Sequence, residues 1–346
     1  MHSIYINGIG VILPGVTDIK DLWQELAEEA NNKAVKIESI PSFISSRKIR
    51  RMDRLSILAL YSFCKAYEEL KEQDIDSLRV GTVFNSDFGS LNTIAEFAEC
   101  LVEGSNIEAS PVTFANTVIN ACLGHICMEY GVKGASTMLL GSNYVGYAMK
   151  MIRNGRSDMV FAGGFEEYNE ELFDCFNEKS INVREGFSTL LLSKEKKEDS
   201  YCEIVSYSEG NLGGHPCFLD DFSPDKKSII NTVNNLLKKA EIEACDIDGV
   251  ITASNNRLFI DAELEAVNSI ISKDKFILPT KVILGDTLGS ALGINIATAS
   301  MILKYQIIPC KHLSDIETKT GEIKYLLVNN FDISGNYVSF ILKKCD

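Results

Sequence analysis

Apolar positions along this chain alternate between the two periods that distinguish strands from helices, about 2 and about 3.6 residues. Residues 3–13 read as a strand running among Gly8, Gly10 and Gly15. Over 18–30, Leu22, Trp23, Leu26 and Ala27 fall on one helical face. Leu55, Leu58, Leu60, Phe63 and Leu70 predict a second helix over 53–72. Residues 78–85 are a continuous apolar run, the pattern of a strand buried on both faces. The next elements are a buried helix over 117–130, a short strand over 136–140, a helix over 143–154, and a strand over 158–162 that ends in Gly163-Gly164.

The second half repeats this grammar. Strands are predicted over 201–208, 249–253, 281–284, 325–329 and 337–343, and helices over 226–240, 261–271 and 293–305. The two halves also end alike. Met159-Val160-Phe161 and Leu326-Leu327-Val328 are each followed by a connection and a last strand, 188–192 and 338–342. A duplicated set of β-α units predicts an α/β protein of two pseudo-symmetric halves, 1–196 and 197–346, with layered sheets and helices in one integrated unit.

Composition narrows the function classes. Of 346 residues 45% are hydrophobic, enough for a sizeable core and too many for a disordered chain. No run approaches the ~20 apolar residues needed to span a bilayer, and residues 1–5 lack the charged start of a secretory signal. A net charge of −14 argues against nucleic acid, which requires clustered Lys and Arg. The expectation is a cytoplasmic protein with no membrane and no nucleic-acid partner. Ten cysteines include no C-x-x-C pair. Cys122, His125 and Cys127 are scattered around a helix rather than gathered for zinc, so reduced, mostly buried thiols are expected and no metal.

Catalytic signatures are sparse. The chain has no phosphate loop, no G-x-S-x-G elbow and no H-E-x-x-H, and Gly8-Ile9-Gly10 lacks the third glycine of a dinucleotide fingerprint. Four histidines, His2, His125, His215 and His312, leave little material for acid–base work near neutral pH. Residues 136–143 end a strand and open a helix, the sharp turn that displays a nucleophile. The residue expected at its tip is Met138, which cannot be one.

Five segments, in order, resemble the β-ketoacyl-ACP synthases, a thiolase-fold family. They are SIYINGIGVILPG, SPVTFANTVINACLGHICMEYGVKGAST, GYAMKMIRNGRSDMVFAGGFEE, KVILGDTLGSAL and VNNFDISGNYVSFIL. The resemblance spans nearly the whole chain and implies the thiolase-like αβαβα layering, which agrees with the internal repeat. An active family member uses a cysteine nucleophile and two histidines for thioester formation and malonyl decarboxylation. Counting from Gly163-Gly164 places the cysteine position at Met138. Counting from Gly285 and Gly289 places the second histidine at Asp286, and the first falls at Thr252 or, one register on, at Ala253. Lys281 and Glu263 resemble the family's accompanying lysine and glutamate. Asp332 and Ile333 stand where the family's gating loop has glycine and phenylalanine. The chain is shorter than usual for the family, over 167–186 and again around 212–222.

The pattern resembles the chain-length factors, catalytically dead ketosynthase-like subunits of type II polyketide or aryl-polyene systems. That resemblance implies heterodimer formation with an active ketosynthase and no cofactor. It also implies an acyl carrier protein docked mainly on the partner, with a local contribution from Lys150, Arg153 and Arg156. Phe114, Val118, Ala121 and Cys122 would wall the tunnel that bounds chain length, and Ser136, Thr137, Met138, Leu139 and Leu140 would meet the partner. His125 belongs to a glycine–histidine pair with a structural role. Two rival readings remain: a diverged acyltransferase or hydrolase using Asp286, Cys122 or Ser142, and a homodimeric acyl-binding scaffold.

Overall fold

The computed structural model describes residues 3–27, 32–36, 46–70, 76–102, 110–141, 143–219, 222–309 and 321–346. Ser142, His2, His312 and the outer ends of the first two predicted helices lie outside the described residues. Ten strands run in chain order: β1 Ile4–Ile12, β2 Val80–Asn85, β3 Ser136–Leu139, β4 Met159–Glu166, β5 Gly186–Ser193, β6 Cys202–Asn211, β7 Gly249–Ile251, β8 Phe276–Leu278, β9 Tyr325–Phe331 and β10 Asn336–Lys344. They hydrogen-bond in the order β3-β2-β4-β5-β1-β6-β10-β9-β7-β8.

From its middle outward, that order repeats itself. In one half β2 pairs in parallel with β3 and β4, while β5 is antiparallel to β4 and β1. In the other half β7 pairs in parallel with β8 and β9, while β10 is antiparallel to β9 and β6. The halves join through β1 and β6 at only three residue pairs, Ile4–Ile6 against Cys202–Ile204. This doubled, mixed sheet has the two like halves that the repeat predicted, in the thiolase-like layering that the resemblance implied.

Helices form the layers. Between the halves lie α7 (Tyr144–Arg153) and α12 (Ala291–Tyr305). Thirteen of the fifteen α12 residues are buried, and the helix touches β1, β4 and β5 as well as β6, β9 and β10. A helix apolar on every side is what a middle layer requires. Its Ala, Gly and Ser positions let two sheets approach one helix. Outside one half, α3 (Arg54–Glu68) and α6 (Ala121–Tyr130) cover β1, β4 and β5 with a cluster built on Phe63, Phe84, Phe161 and Leu191. Outside the other, α9 (Lys226–Ala240) and α10 (Arg257–Asn268) cover β6 and β10 through Val233, Leu236, Val267 and Leu327.

Three sequence expectations change. Residues 281–284 form a helix, α11 (Thr280–Leu284), not a strand. The strand, β8, lies just before it, and Pro279 separates the two with a fixed φ and a carbonyl that accepts from Val282 and Ile283. The helix expected over 117–130 starts only at Ala121, and only Cys122 and Ile126 in it are buried. Helix α1 (Asp21–Ala27) falls within the first helix expected, and four α-helices were not foreseen: α2 (Ser46–Ile49), α4 (Leu91–Val102), α5 (Pro111–Asn116) and α8 (Glu170–Glu178). In α4 only Thr93 is buried, so its apolar residues cover no core in this chain and carry no inward-facing stripe.

The crossing of α3 over β1 depends on Gly10, where an added Cβ would come within 1.9 Å of the Ser62 carbonyl oxygen. Backbone cannot yield there as a flexible side chain would. Gly10→Ala is therefore expected to cost about 1–3 kcal/mol or more of stability, read as a lower urea midpoint at unchanged slope; an unaltered midpoint would contradict this packing.

Candidate functional site

Met138 does not sit at the tip of a turn. It lies inside β3, opposite Phe84 of β2, and packs half-buried against the apolar cluster beneath α3 and α6. The turn comes later, at exposed Leu140 and at Gly141, whose φ is +50°. The Gly141 carbonyl there accepts from Ser334 Oγ at 3.0 Å. Helix α7 then begins behind Asn143, which caps the Gly146 N–H at 2.8 Å. A thioether held within a strand is neither nucleophile, acid nor base.

Asp286 is placed by the opposite half of the fold. Its N–H donates to the Asn182 carbonyl at 2.8 Å and its carbonyl accepts from the Arg184 N–H at 2.9 Å, a short parallel bridge. Its carboxylate is buried and fully engaged. Lys281 Nζ lies 3.2 Å from both oxygens, Asn255 Nδ2 donates at 2.7 Å and the Leu288 N–H at 2.9 Å. Lys281 also donates to the Phe331 carbonyl at 2.7 Å. Asn255 stands three residues past Thr252, so Asp286 joins the loop that follows β7. There the Thr252 N–H donates to the Leu278 carbonyl at 3.1 Å. Buried Glu263 accepts from the Ala253 and Ser254 N–H groups at 2.9 Å, from Tyr337 Oη at 2.9 Å and from Asn329 at 3.1 Å. Glu263 thus fixes the loop with its acceptors occupied.

The structure brings four further groups here: His215, Asp87 and Glu166, which the sequence reading did not single out, and Asp332, which the resemblance had put in the gating loop. His215, on the Gly213-Gly214-His215-Pro216 turn, is buried and stacks on Phe331 with ring centroids 5.2 Å apart. Its Nδ1 accepts the Cys217 N–H at 3.1 Å, which puts the imidazole proton on Nε2. Burial pushes its pKa down to about 4, so it is neutral at pH 7. Asp87 follows β2, and burial, reinforced by the charges of Asp332 and Asp286, pushes its carboxyl up to about 7. Glu166, at the end of β4, accepts the Asp87 N–H at 2.8 Å and the Phe88 N–H at 3.2 Å, and burial raises its pKa too. Asp332, just past β9, is raised to about 6, again mainly by burial.

One signal could have found three of these four. Asp87, Glu166 and Asp332 all lie at the carboxyl ends of parallel-paired strands, where open α/β sheets build their sites. His215 has no such marker beyond its paired glycines.

The remaining candidates separate. Phe114 and Val118 are exposed on this chain, Ala121 is half-buried, and Cys122 is buried with its thiol pushed up to about 12, which removes it as a nucleophile. His125 bonds Asn116 Oδ1 at 3.1 Å, and the Asn116 amide donates to the Arg51 carbonyl at 2.9 Å. Strand β3 is an edge, with Ser136 exposed and Thr137 to Leu139 half-buried. Beside it, α4, α5 and α6 leave Val102 85%, Met128 75%, Phe114 60% and Val118 50% exposed, with Leu101, Val112 and Ile94 at 40% or more.

Residues 34–189 match the family model described as "Beta-ketoacyl synthase, N-terminal domain". The chain is 28% identical to 3-oxoacyl-[acyl-carrier-protein] synthase 1 of Buchnera aphidicola subsp. Acyrthosiphon pisum over 403 aligned residues, covering 99% of this chain and 94% of that protein. That alignment is longer than the chain, so the relative carries segments that this chain lacks. Among solved structures, a Beta-ketoacyl synthase from Burkholderia phymatum STM815 superposes with a TM-score of 0.81 at 19% identity. The ishigamide ketosynthase/chain length factor superposes with a TM-score of 0.83 at 17% identity. Both are covered over 100% of each chain. The chain thus carries a match to the β-ketoacyl synthase family domain within a thiolase-like ketosynthase fold.

The carboxyl cluster has a pH signature. Asp87 holds its proton to about pH 7 when folded but only to the ordinary carboxylate range when unfolded. Between those limits the folded state binds more protons, so stability falls as pH rises. Asp87→Asn removes that penalty. In sodium buffers the variant should gain on wild type between pH 5 and pH 8, by up to about 1.4 kcal/mol for each pH step of one crossed before Asp87 has titrated, measured by urea unfolding at both pH values. Parallel curves for the two proteins would contradict it.

Proposed function

We propose that this chain is a non-catalytic, chain-length-factor-like subunit that pairs with an active ketosynthase and bounds the tunnel in which the partner elongates an acyl chain. The observation that carries this reading is the exposed apolar face of α4, α5 and α6 beside the unpaired edge of β3. Monomers rarely leave such a contiguous patch bare, and each large side chain covered there would contribute about 1.5–3 kcal/mol. An edge strand next to it offers a row of unpaired backbone groups for continuing the sheet into a second subunit. A similar fold has been solved for a ketosynthase/chain length factor.

The chemistry supports the same reading. Position 138 is a methionine within a strand, and by the resemblance Thr252 or Ala253, together with Asp286, falls at the two histidine positions. Asp286 would repel the charge that builds on a decarboxylating malonyl group. The diverged-enzyme reading loses two of its three candidates: Cys122 is buried with a raised pKa, and the Asp286 oxygens are occupied by Lys281, Asn255 and the Leu288 amide, while Ser142 lies outside the described residues. The net charge of −14 disfavours an acidic carrier protein on this chain, so the carrier docks mainly on the partner. Arg153 is half-buried and donates to the Val205 carbonyl at 3.4 Å, and Lys150 lies over the Tyr207 ring, which leaves Arg156 as the more exposed cation of that patch.

Native mass measured on the chain alone, and after co-expression with a cysteine-bearing ketosynthase encoded beside it, tests the pairing. A tight 1:1 complex is expected, and Leu140→Asp at the edge of β3 should weaken it at least tenfold. A stable homodimer that ignores the ketosynthase would overturn the proposal.

Val118 gives the second test. Val118→Phe adds bulk to the face assigned to the tunnel, and overpacked space cannot take further carbons. The complex should then release shorter products by mass spectrometry at near-normal turnover. An unchanged length distribution would remove Val118 from the tunnel wall.

A further inference from the structure

The polar chamber behind Asp332 gathers more buried carboxyl groups than cations. Asp87 feels the charges of Asp286 and Asp332, Glu166 accepts its N–H, and among the described residues Lys281 is the cation placed beside them. Lys281 is already taken up by Asp286 and by the Phe331 carbonyl. Glu166 is held by the Asp87 and Phe88 amides, and Asp332 by the Ser334 and Asn336 amides at 2.9 and 3.1 Å. Asp87 has nothing comparable. It is only 8% exposed, and neither carboxylate oxygen accepts a hydrogen bond. The Asn85 amide beside it donates to the Gly289 carbonyl at 3.2 Å and favours the Asp87 carboxylate, against the larger effect of burial.

Two more buried acceptors lack donors. Asn255 gives its amide to Asp286, which leaves Oδ1 unpartnered, and Asn330 Oδ1 is unpartnered as well. All four orphans are acceptors, and buried acceptors without donors are costly. Protonating Asp87 would neutralise its charge but add an O–H that also requires a partner. An opening exists: Asn330 and Asp332 line a crevice of about 240 Å³ together with Asn143, Glu209, Asn211 and Asn336. Among the described residues no three His, Cys, Asp or Glu side chains gather as a metal site.

We propose that this chamber is a binding site for a primary ammonium group carried by a small molecule, with Asp87 as its counter-ion and the Asn255 and Asn330 carbonyl oxygens as further acceptors. A primary ammonium brings one positive charge and three N–H donors, which match one uncompensated carboxylate and a surplus of acceptors. The site does not depend on pairing with a ketosynthase, and it would turn away the malonyl carboxylate that an active family member accepts.

The test is thermal unfolding at pH 8 in methylammonium, sodium or tetramethylammonium chloride at equal ionic strength, on the chain or on its complex where the two are isolated together. Methylammonium should raise Tm by about 2 °C or more over both controls, and Asp87→Asn should erase the difference. If that variant does not fold, proton NMR of wild type with ¹⁵N-ammonium replaces it, and a bound, slowly exchanging ammonium signal is expected. Equal Tm values in all three salts, or a difference that survives in Asp87→Asn, would overturn the proposal. So would a sodium effect matching methylammonium, which would mark a simple alkali-cation site, or the absence of a bound ammonium signal.

Discussion

The structure depends on one helix being buried from every side. The two halves of the sheet share only the three residue pairs of β1 and β6, too short a ladder to hold them in register. Helix α12 does that work instead, with β4 and β5 against part of its surface and β9 and β10 against the rest. Its buried Ser and Thr hydroxyls are absorbed locally, Thr298 by the Ile294 carbonyl at 2.9 Å and Ser300 by that of Ile296 at 2.7 Å. Neither hydroxyl then has to be satisfied by the sheets that sandwich the helix.

That arrangement determines where chemistry can be placed. Because the halves repeat, the parallel pairs β2–β4 and β7–β9 deliver Asp87 and Glu166 from one side, and Asn255 and Asp332 from the other. The residues entering α12 are bound to the same ends. The Gly289 carbonyl takes the Asn85 amide, and a Cβ on Gly289 would sit 3.0 Å from the Asp87 nitrogen. Asp286 is therefore fixed within a chamber built by both halves, through backbone bonds to Asn182 and Arg184 that no local motif announces.

Strongly periodic elements were legible in the sequence. The helix over 226–240 has the bounds expected, and the paired strands β4–β5 and β9–β10 carry the repeat that identified two halves. What was not legible has physical causes. Helix α4 was missed although Leu91, Ile94, Ala98 and Leu101 repeat at helical spacing, a stripe that covers no core in this chain. The strand over 281–284 was misread because the three apolar residues Val282, Ile283 and Leu284 fit either period, and only Pro279 separates β8 from α11. His215 and Asp87 were missed because they come together through tertiary packing, one from a glycine turn and the other from a strand end. Met138 was expected at the tip of the turn and lies inside β3 instead, since the turn tightens only at Gly141.

On the proposed reading, loss of a nucleophile and gain of the acidic chamber are physically coupled. A pocket that must stabilise a developing enolate cannot tolerate several buried carboxylates, because each would raise the energy of that charge in a low-dielectric site. Once position 138 carries a thioether, that constraint lapses. Asp286 can then replace a proton donor, Lys281 can turn to hold it, and Asp332 can enter a loop that otherwise favours glycine. The same release does not extend to the β3 side. There the apolar face of α4, α5 and α6 remains costly to expose whatever the pocket does. The two surfaces of one degenerate site therefore answer to different pressures: the chamber to charge, and the β3 face to the area it leaves bare.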